Sequence, residues 1–405
     1  MSLTGKDHLK QELRALLAQN SCAITEALKS QYDRFTGGRG GNIVLCGAGV
    51  AGKAALRGLR MAGVEPRAFA DNNAARWGQT IEGVPVISPA DAAREFGETA
   101  AFVVTIYNGS TVRKQMRDLG CRTVVPFAPL FFKYSDVLLP HLNLDLPSPI
   151  FRNAGRVEKA FDLWADDESR AEYLAQLKYF TSLDPAVTID KRPVEQTYFP
   201  PELIKVGEDE IFVDCGAYDG DTLRDFLKRC DGRFGRFIGI EPDPDSYSRL
   251  TEFAASVSGD IETCQFALGS ETGVVQFEAS GTLGSRLGTA TGTISVRRET
   301  LDGILYGIAP TFIKIDIEGA EIEALYGARR VIDRASAVLA VCLYHRLEDL
   351  WNVAIAIDEL SNGRYRLHLR RHAEDSWETI CYAIPPERTG PEVKREEVER
   401  DHAML

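Results

Sequence analysis

Asp316, Glu318, Glu321 and Glu323 fall within eight residues of the stretch FIKIDIEGAEIEAL (312–325), beside Gly319. An apolar, β-branched run ends at the first of these acids, and a helical pattern follows. Acids at a helix start complement the helix dipole, which is enough to account for Glu323. Asp316 needs another role, because it ends a strand where an α/β sheet opens its cleft. There a carboxylate can take a proton from a hydroxyl or favour a positive charge. Glu318 and Glu321 stand three apart, which on a helix puts them on one face, and we expect both to touch substrate. The next apolar run, AVLAVCLYHRLEDLW (337–351), reaches His345. This histidine could serve as general base, substrate contact, metal ligand with Asp316 or packed ring. Base or substrate contact ranks first, and no metal is expected. Asp316 and His345 are thus the candidate catalytic pair.

Upstream, EIFVDCGAYDGDTLRDFL (210–227) reads as a buried strand, a glycine turn and a helix. Gly216 and Gly220 let the backbone approach a ligand, and the helix start offers free N–H groups. The following strand, RFIGIEPD, ends in Glu241, 21 residues beyond Gly220. An acid there can accept both hydroxyls of a ribose. The spacing D-x-G-x-x-x-G is more open than a dinucleotide fingerprint and suits the amino-acid end of S-adenosylmethionine. The expected cofactor contacts are Asp214, near the ligand ammonium, with Gly216, Ala217, Tyr218, Gly220, Thr222 and Glu241. IETCQFALGS (261–270) then reads as a third strand and turn whose Ala267 borders the adenine.

Together FVDCGAYDGDT, GIEPDP, ETLDGI, FIKIDIEGAEIEAL, LYHRLEDLW and ETICYAIP resemble the FkbM-type methyltransferases over about residues 196–385. The resemblance implies a class I methyltransferase fold: a seven-stranded, mostly parallel sheet whose last strand is antiparallel. YRLHLRRH and WETICYAI would be its closing pair. It also implies O-methylation, commonly of sugar or polyketide hydroxyls.

A second strand–glycine–helix opening, NIVLCGAGVAGKAALRGL (42–59), matches G-x-G-x-x-G through Gly47, Gly49 and Gly52. Asp71 ends the next strand. The stretch FADNNAARWGQTIEGVPVISPADA resembles the small nucleotide-binding domain that precedes bacterial sugar acyltransferases, which implies a nucleotide or nucleotide-sugar at Gly47, Gly49, Gly52 and Asp71. A purely positioning or associating domain is an equal alternative.

The chain therefore reads as α/β, with two Rossmann-like domains joined by a helical connector. The expected divisions are a helical segment (1–38), a nucleotide-binding domain (39–135), the connector (136–205), the methyltransferase domain (206–385) and a charged tail (386–405). In the connector, Val157, Phe161, Trp164, Tyr173, Leu174, Leu177 and Phe180 carry helical spacing. The 405 residues include 47 basic and 59 acidic ones, a net charge of −12, which argues against nucleic acid as a partner. No apolar run approaches the roughly 20 residues of a membrane span. The eight cysteines form no C-x-x-C pair and read as buried thiols of a cytoplasmic protein. The expected activity is S-adenosylmethionine-dependent O-methylation of a sugar, glycan or related natural product, by a chain that could self-associate. The alternatives are a nucleotide-sugar-binding or assembly protein with an inactive methyltransferase domain and, below it, an NAD-dependent oxidoreductase, for which no hydride-transfer constellation follows the first fingerprint.

Overall fold

The computed structural model describes residues 5–38, 40–278, 286–287 and 294–388. They form two compact units. One holds the described residues up to Ala154, with Leu174–Lys191 and Ala373–Trp377; the other holds Gly155–Tyr173, Arg192–His372 and the described residues from Glu378 onward. The segment 136–205 is thus shared between the two.

The first unit opens with helices Gly5–Leu17, Ser21–Lys29 and Gln31–Thr36. Its sheet contains β1 (Ile43–Cys46), β2 (Ala68–Ala70), β3 (Thr80–Ile81), β4 (Val84–Ile87), β5 (Ala101–Val104) and β6 (Thr123–Pro126). The order is β3-β4-β2-β1-β5-β6, parallel except for the short edge strand β3. IVLC and AFVV are buried at every position, as strands covered on both faces must be. Gly49 caps the Val50–Met61 helix. Gly52 lies so close under the loop that a Cβ there would stand 2.0 Å from the Gly47 carbonyl oxygen.

The second unit carries β7 (Ile211–Cys215), β8 (Arg236–Ile240), β9 (Ile261–Cys264), β10 (Ala267–Leu268), β11 (Gly273–Glu278), β12 (Arg286–Leu287), β13 (Ile294–Glu299), β14 (Phe312–Ile315), β15 (Val338–Cys342), β16 (Arg366–Arg371) and β17 (Thr379–Ile384). Seven form one sheet in the order β16-β17-β15-β14-β7-β8-β9. Only β17 runs against its neighbours. Phe199, Phe212, Phe226, Phe237 and Phe312 share the core on one face, each worth about 1.5–3 kcal/mol when buried. The expected third strand divides. Its first half is β9 of the main sheet; β10 joins β11, β12 and β13 in a second, four-stranded sheet. The sequence GVVQFEA (273–279) also reads as an extended piece, now seen as β11; its residue 279 lies outside the described residues, as do residues 1–4 of the leading segment and 389–405 of the tail.

The outer edge of the main sheet, β16, is covered by chain of its own unit. Ala165 N–H donates to the Leu367 carbonyl (2.8 Å) and Arg192 N–H to that of Arg371 (2.7 Å). Leu369 N–H donates to Ser169 Oγ (2.9 Å), and Arg370 returns to the Leu369 carbonyl (2.9 Å). All seven apolar residues marked by helical spacing in the connector are buried. All eight cysteines are free thiols; six are buried, Cys264 partly so, and Cys22 is exposed.

Candidate active site

At the carboxyl ends of β7, β8 and β14 a cleft encloses about 660 Å³, its open mouth included. Parallel sheets place ligands there because loops and helix starts converge where strand order reverses. The lining is Gly216, Tyr218, Ile240, Glu241, Pro242, Phe266, Ala267, Leu268, Phe277, Asp316, Ile317, Glu318 and Ala320. Three of these are acids and none is basic. The floor is set by close approach of two loops. At Gly216, where φ is +82°, a Cβ would fall 1.8 Å from the Asp316 carbonyl oxygen. Tyr218 (φ 48°) and Glu318 (φ 56°) hold left-handed backbone without being glycine. That cost persists where the surroundings enforce it, here on both sides of one cleft.

Glu241 is nearly buried, and its carboxylate is aimed by two backbone donors, Tyr218 N–H (2.9 Å) and Asp243 N–H (2.8 Å). Burial pushes its carboxyl up to about 7 against the pull of those donors. Asp214 does not reach the cleft. It is fully buried, and its Oδ1 is 2.9 Å from Nζ of Lys314, which also donates to the Gly216 carbonyl (2.7 Å). Burial raises the Asp214 carboxyl to about 6, with Lys314 opposing. Burial works against the charge on Lys314 too, but Asp214, Asp316 and Asp221 outweigh it and keep the ammonium protonated. Among the other expected cofactor contacts, Gly216, Tyr218 and Ala267 line the cleft, while Ala217, Gly220 and Thr222 shape the turn behind it.

Asp316 faces the cleft. Tyr198 O–H donates to its Oδ2 (2.6 Å), and Tyr344 O–H stands 3.3 Å from both oxygens. Burial favours the neutral acid, yet Lys314, His345 and the Tyr198 hydroxyl hold Asp316 below its ordinary range, as a carboxylate. His345 is buried. Its Nδ1 lies 2.8 Å from Glu321 Oε1, and its Nε2 stands 3.4 Å from Asp316 Oδ1 and 3.8 Å from Glu318 Oε2. Burial alone would lower its pKa, but Glu321, Asp316 and Glu318 drive it up to about 10. In this arrangement His345 keeps its proton near neutrality, so base chemistry falls to Asp316.

Glu321, expected at the substrate, is completely buried. The helix begins only at Glu321, and Glu318 sits in the turn before it, so the two do not share a helix face. Glu321 Oε1 accepts from the backbone N–H of Ile317 (3.0 Å) and Gly319 (3.3 Å) as well as facing His345, which fixes the acidic turn. Lys314, Tyr198, Tyr344, Phe266 and Phe277 were not singled out from sequence. A lone lysine inside an apolar strand was the one available signal, since such a charge must find a partner.

In the first unit, Gly47 and Gly49 form the turn after β1, Gly52 lies in the first turn of the helix that follows, and Asp71 comes directly after β2. Asp71 accepts from Ala48 N–H (2.8 Å), Asn73 N–H (2.8 Å) and Arg76 (3.0 Å). Despite burial, these donors hold its carboxyl below the ordinary range. Among the described residues no helix is long and apolar enough to cross a membrane.

The chain is 27% identical over 107 residues to the hexuronic acid methyltransferase AglP of Haloferax volcanii, covering 25% of this chain and 45% of that protein. It is 23% identical over 208 residues to a methylthioribose kinase of Bacillus thuringiensis subsp. konkukian, covering 49% and 52%. It thus spans about half the length of these curated relatives. The crystal structure of a methyltransferase FkbM from Methylobacillus flagellatus KT superposes with a TM-score of 0.68 at 24% identity, covering 90% of this chain and 98% of that one. The profile of the Methyltransferase FkbM domain matches residues 214–367, the stretch that holds the glycine loop, Glu241, the acidic turn and His345.

Proposed function

We propose that the chain is an S-adenosylmethionine-dependent O-methyltransferase of class I fold, acting on a hydroxyl of a sugar, glycan or related natural product. The observation that carries this reading is the set of groups lining the cleft: a carboxylate aimed by two backbone donors, further acids, an apolar flank and no basic side chain. Such a lining suits a ligand with a diol and a positive charge. It repels phosphates, which sets phosphoryl transfer aside despite the kinase relatives.

Glu241 would accept the two ribose hydroxyls, and Phe266, Ala267, Leu268 and Phe277 would flank the adenine. Gly216 and Tyr218 would leave room for the amino-acid end. When bound, the donor supplies an electrophilic methyl group: the S–C bond breaks as the O–C bond forms, and the electron pair remains on sulfur. The hydroxyl proton must leave, and Asp316 Oδ1 and Oδ2 are the ionised acceptors at the cleft. Tyr198 and Tyr344 hold that carboxylate in place, and Glu318 offers a second acceptor to a polyhydroxylated substrate. The sugar preference is supported by the likeness to the hexuronic acid methyltransferase of Haloferax volcanii.

Calorimetric titration with S-adenosylmethionine, followed by transfer of labelled methyl groups to a panel of uronic acids and glycans, tests the reading. No donor binding by the folded chain would overturn it. In the first unit we propose a nucleotide-sugar at the Gly47 turn, supported by the fingerprint and its strand–helix setting. A UDP-sugar panel that fails to shift the melting of the full chain would leave that turn a structural element.

A further inference from the structure

One ligand-type atom from each of Asp316, Glu321 and His345 lies within 4.8 Å of the others. The three come from the end of β14, the helix that follows and the end of β15. Nδ1 of His345 is engaged by Glu321 Oε1 at 2.8 Å. That contact fixes the ring and turns Nε2 towards Asp316 Oδ1 at 3.4 Å and Glu318 Oε2 at 3.8 Å. The 3.8 Å separation is too long for a hydrogen bond and the 3.4 Å one is marginal. Both are close to the spacing of two donors around one ion: with bonds of about 2.1 Å, tetrahedral ligands stand roughly 3.4 Å apart. A carboxylate behind a histidine whose other nitrogen faces outward is the usual support of a metal-bound imidazole.

A second observation is independent of this spacing. Glu321 is fully buried, and its Oε2 has no hydrogen-bond partner. Asp349, which is also buried, likewise leaves Oδ2 without a partner. Buried carboxylate oxygens are normally satisfied, and these belong to a neighbourhood already crowded with Asp316, Glu318 and Glu378. Lys314 is committed to Asp214 and the Gly216 carbonyl, so it does not answer them.

We propose that His345 Nε2, giving up its proton to the ion, and Asp316, with Glu318 at the mouth and Glu321 holding the ring from behind, bind one divalent cation of the Mn²⁺ or Zn²⁺ type. An imidazole with carboxylates is a donor set such ions accept. The inference rests on the methyltransferase reading for its purpose. An ion beside Asp316 would hold the acceptor hydroxyl and ease loss of its proton, adding no reactant to the transfer.

The test uses the full chain, stripped with chelator and desalted, and titrated with Mn²⁺ alone while free Mn²⁺ is followed by electron paramagnetic resonance. One saturable ion per chain is expected, displaced by Zn²⁺, with nitrogen coupling in the pulsed spectrum. His345→Gln should abolish that coupling. Glu321→Gln and the partly exposed Glu318→Gln should each weaken binding, about 10- to 100-fold for the group behind the histidine. Glu318→Gln keeps the test usable if a buried variant fails to fold. Absence of saturable Mn²⁺ or Zn²⁺ binding, or variants that bind like the parent, overturns the site. S-adenosylmethionine titration of the same samples separates the two claims: donor binding without metal leaves the methyltransferase reading standing, and metal binding without donor leaves the site standing alone.

Discussion

Lys314 and Asp214 stand directly opposite each other on adjacent parallel strands, and their side chains meet at 2.9 Å, buried behind the cleft. Both are buried, so each is the other's principal compensation for lost water. Removing one partner from such a pair typically costs about 3–5 kcal/mol. We expect Lys314→Met to lower the urea midpoint sharply, and Lys314→Met combined with Asp214→Asn to recover part of the loss. Additive losses in the double variant would show that the pair is not coupled.

Donor affinity should rise with pH through the neutral range. Burial holds the Glu241 carboxyl at about 7, with Asp243 adding to the rise, while Lys314 and the backbone donors oppose it. The protonated acid must lose its proton to accept two hydroxyls, so binding weakens below pH 7, by at most about tenfold per unit. The same raised pKa means that this group's contribution to stability falls as pH climbs from the ordinary carboxyl range through 7. Calorimetric titrations between pH 6 and 8 check the first effect, and Glu241→Gln should flatten the profile while lowering affinity.

Asp316→Asn should leave donor affinity largely intact and reduce single-turnover methyl transfer by about 10²–10⁴. Asn keeps an acceptor oxygen for Tyr198 but not the charge that receives the proton. Glu323 is exposed on the helix that follows, Glu321–Gly327, and Glu323→Gln should leave turnover unchanged. Equal losses in the two variants would remove Asp316 from the chemistry.

Gly216→Ala should lose donor binding and stability together. The added Cβ would meet the Asp316 carbonyl at 1.8 Å, and neither backbone segment can move without shifting the other. A left-handed non-glycine residue alone costs on the order of 1–3 kcal/mol. A variant with parental melting and donor affinity would show that the loops are less closely fitted than they stand here.

Much of the cleft was readable because its signals are local. The glycine turn, Glu241 at the end of the next strand and the apolar run into Asp316 lie within short windows, and the structure sets Gly216, Glu241 and Asp316 around one space. Lys314 escaped because a strand buried on both faces shows no alternation, and its partner lies 100 residues away. Tyr198 escaped for the same reason, being 118 residues from Asp316. Glu321 was read on the wrong face because spacing presumes a helix that has already started. Here the chain spends Ile317–Ala320 in a turn, with Glu318 left-handed, and the next acid swings inward. In the small sheet, β11 was legible as an extended piece, whereas β10 and β12, with two residues each, are too short to display a period.

The covering of β16 limits how two copies of this protein could meet. An exposed sheet edge is a template on which a second chain can continue the ladder. Here the Leu367 and Arg371 carbonyls and both backbone groups of Leu369 already have partners from the same unit. Two copies cannot fuse their large sheets through β16 without first giving up those bonds, so a β16-to-β16 continuous sheet is a disfavoured route to dimers or to fibres.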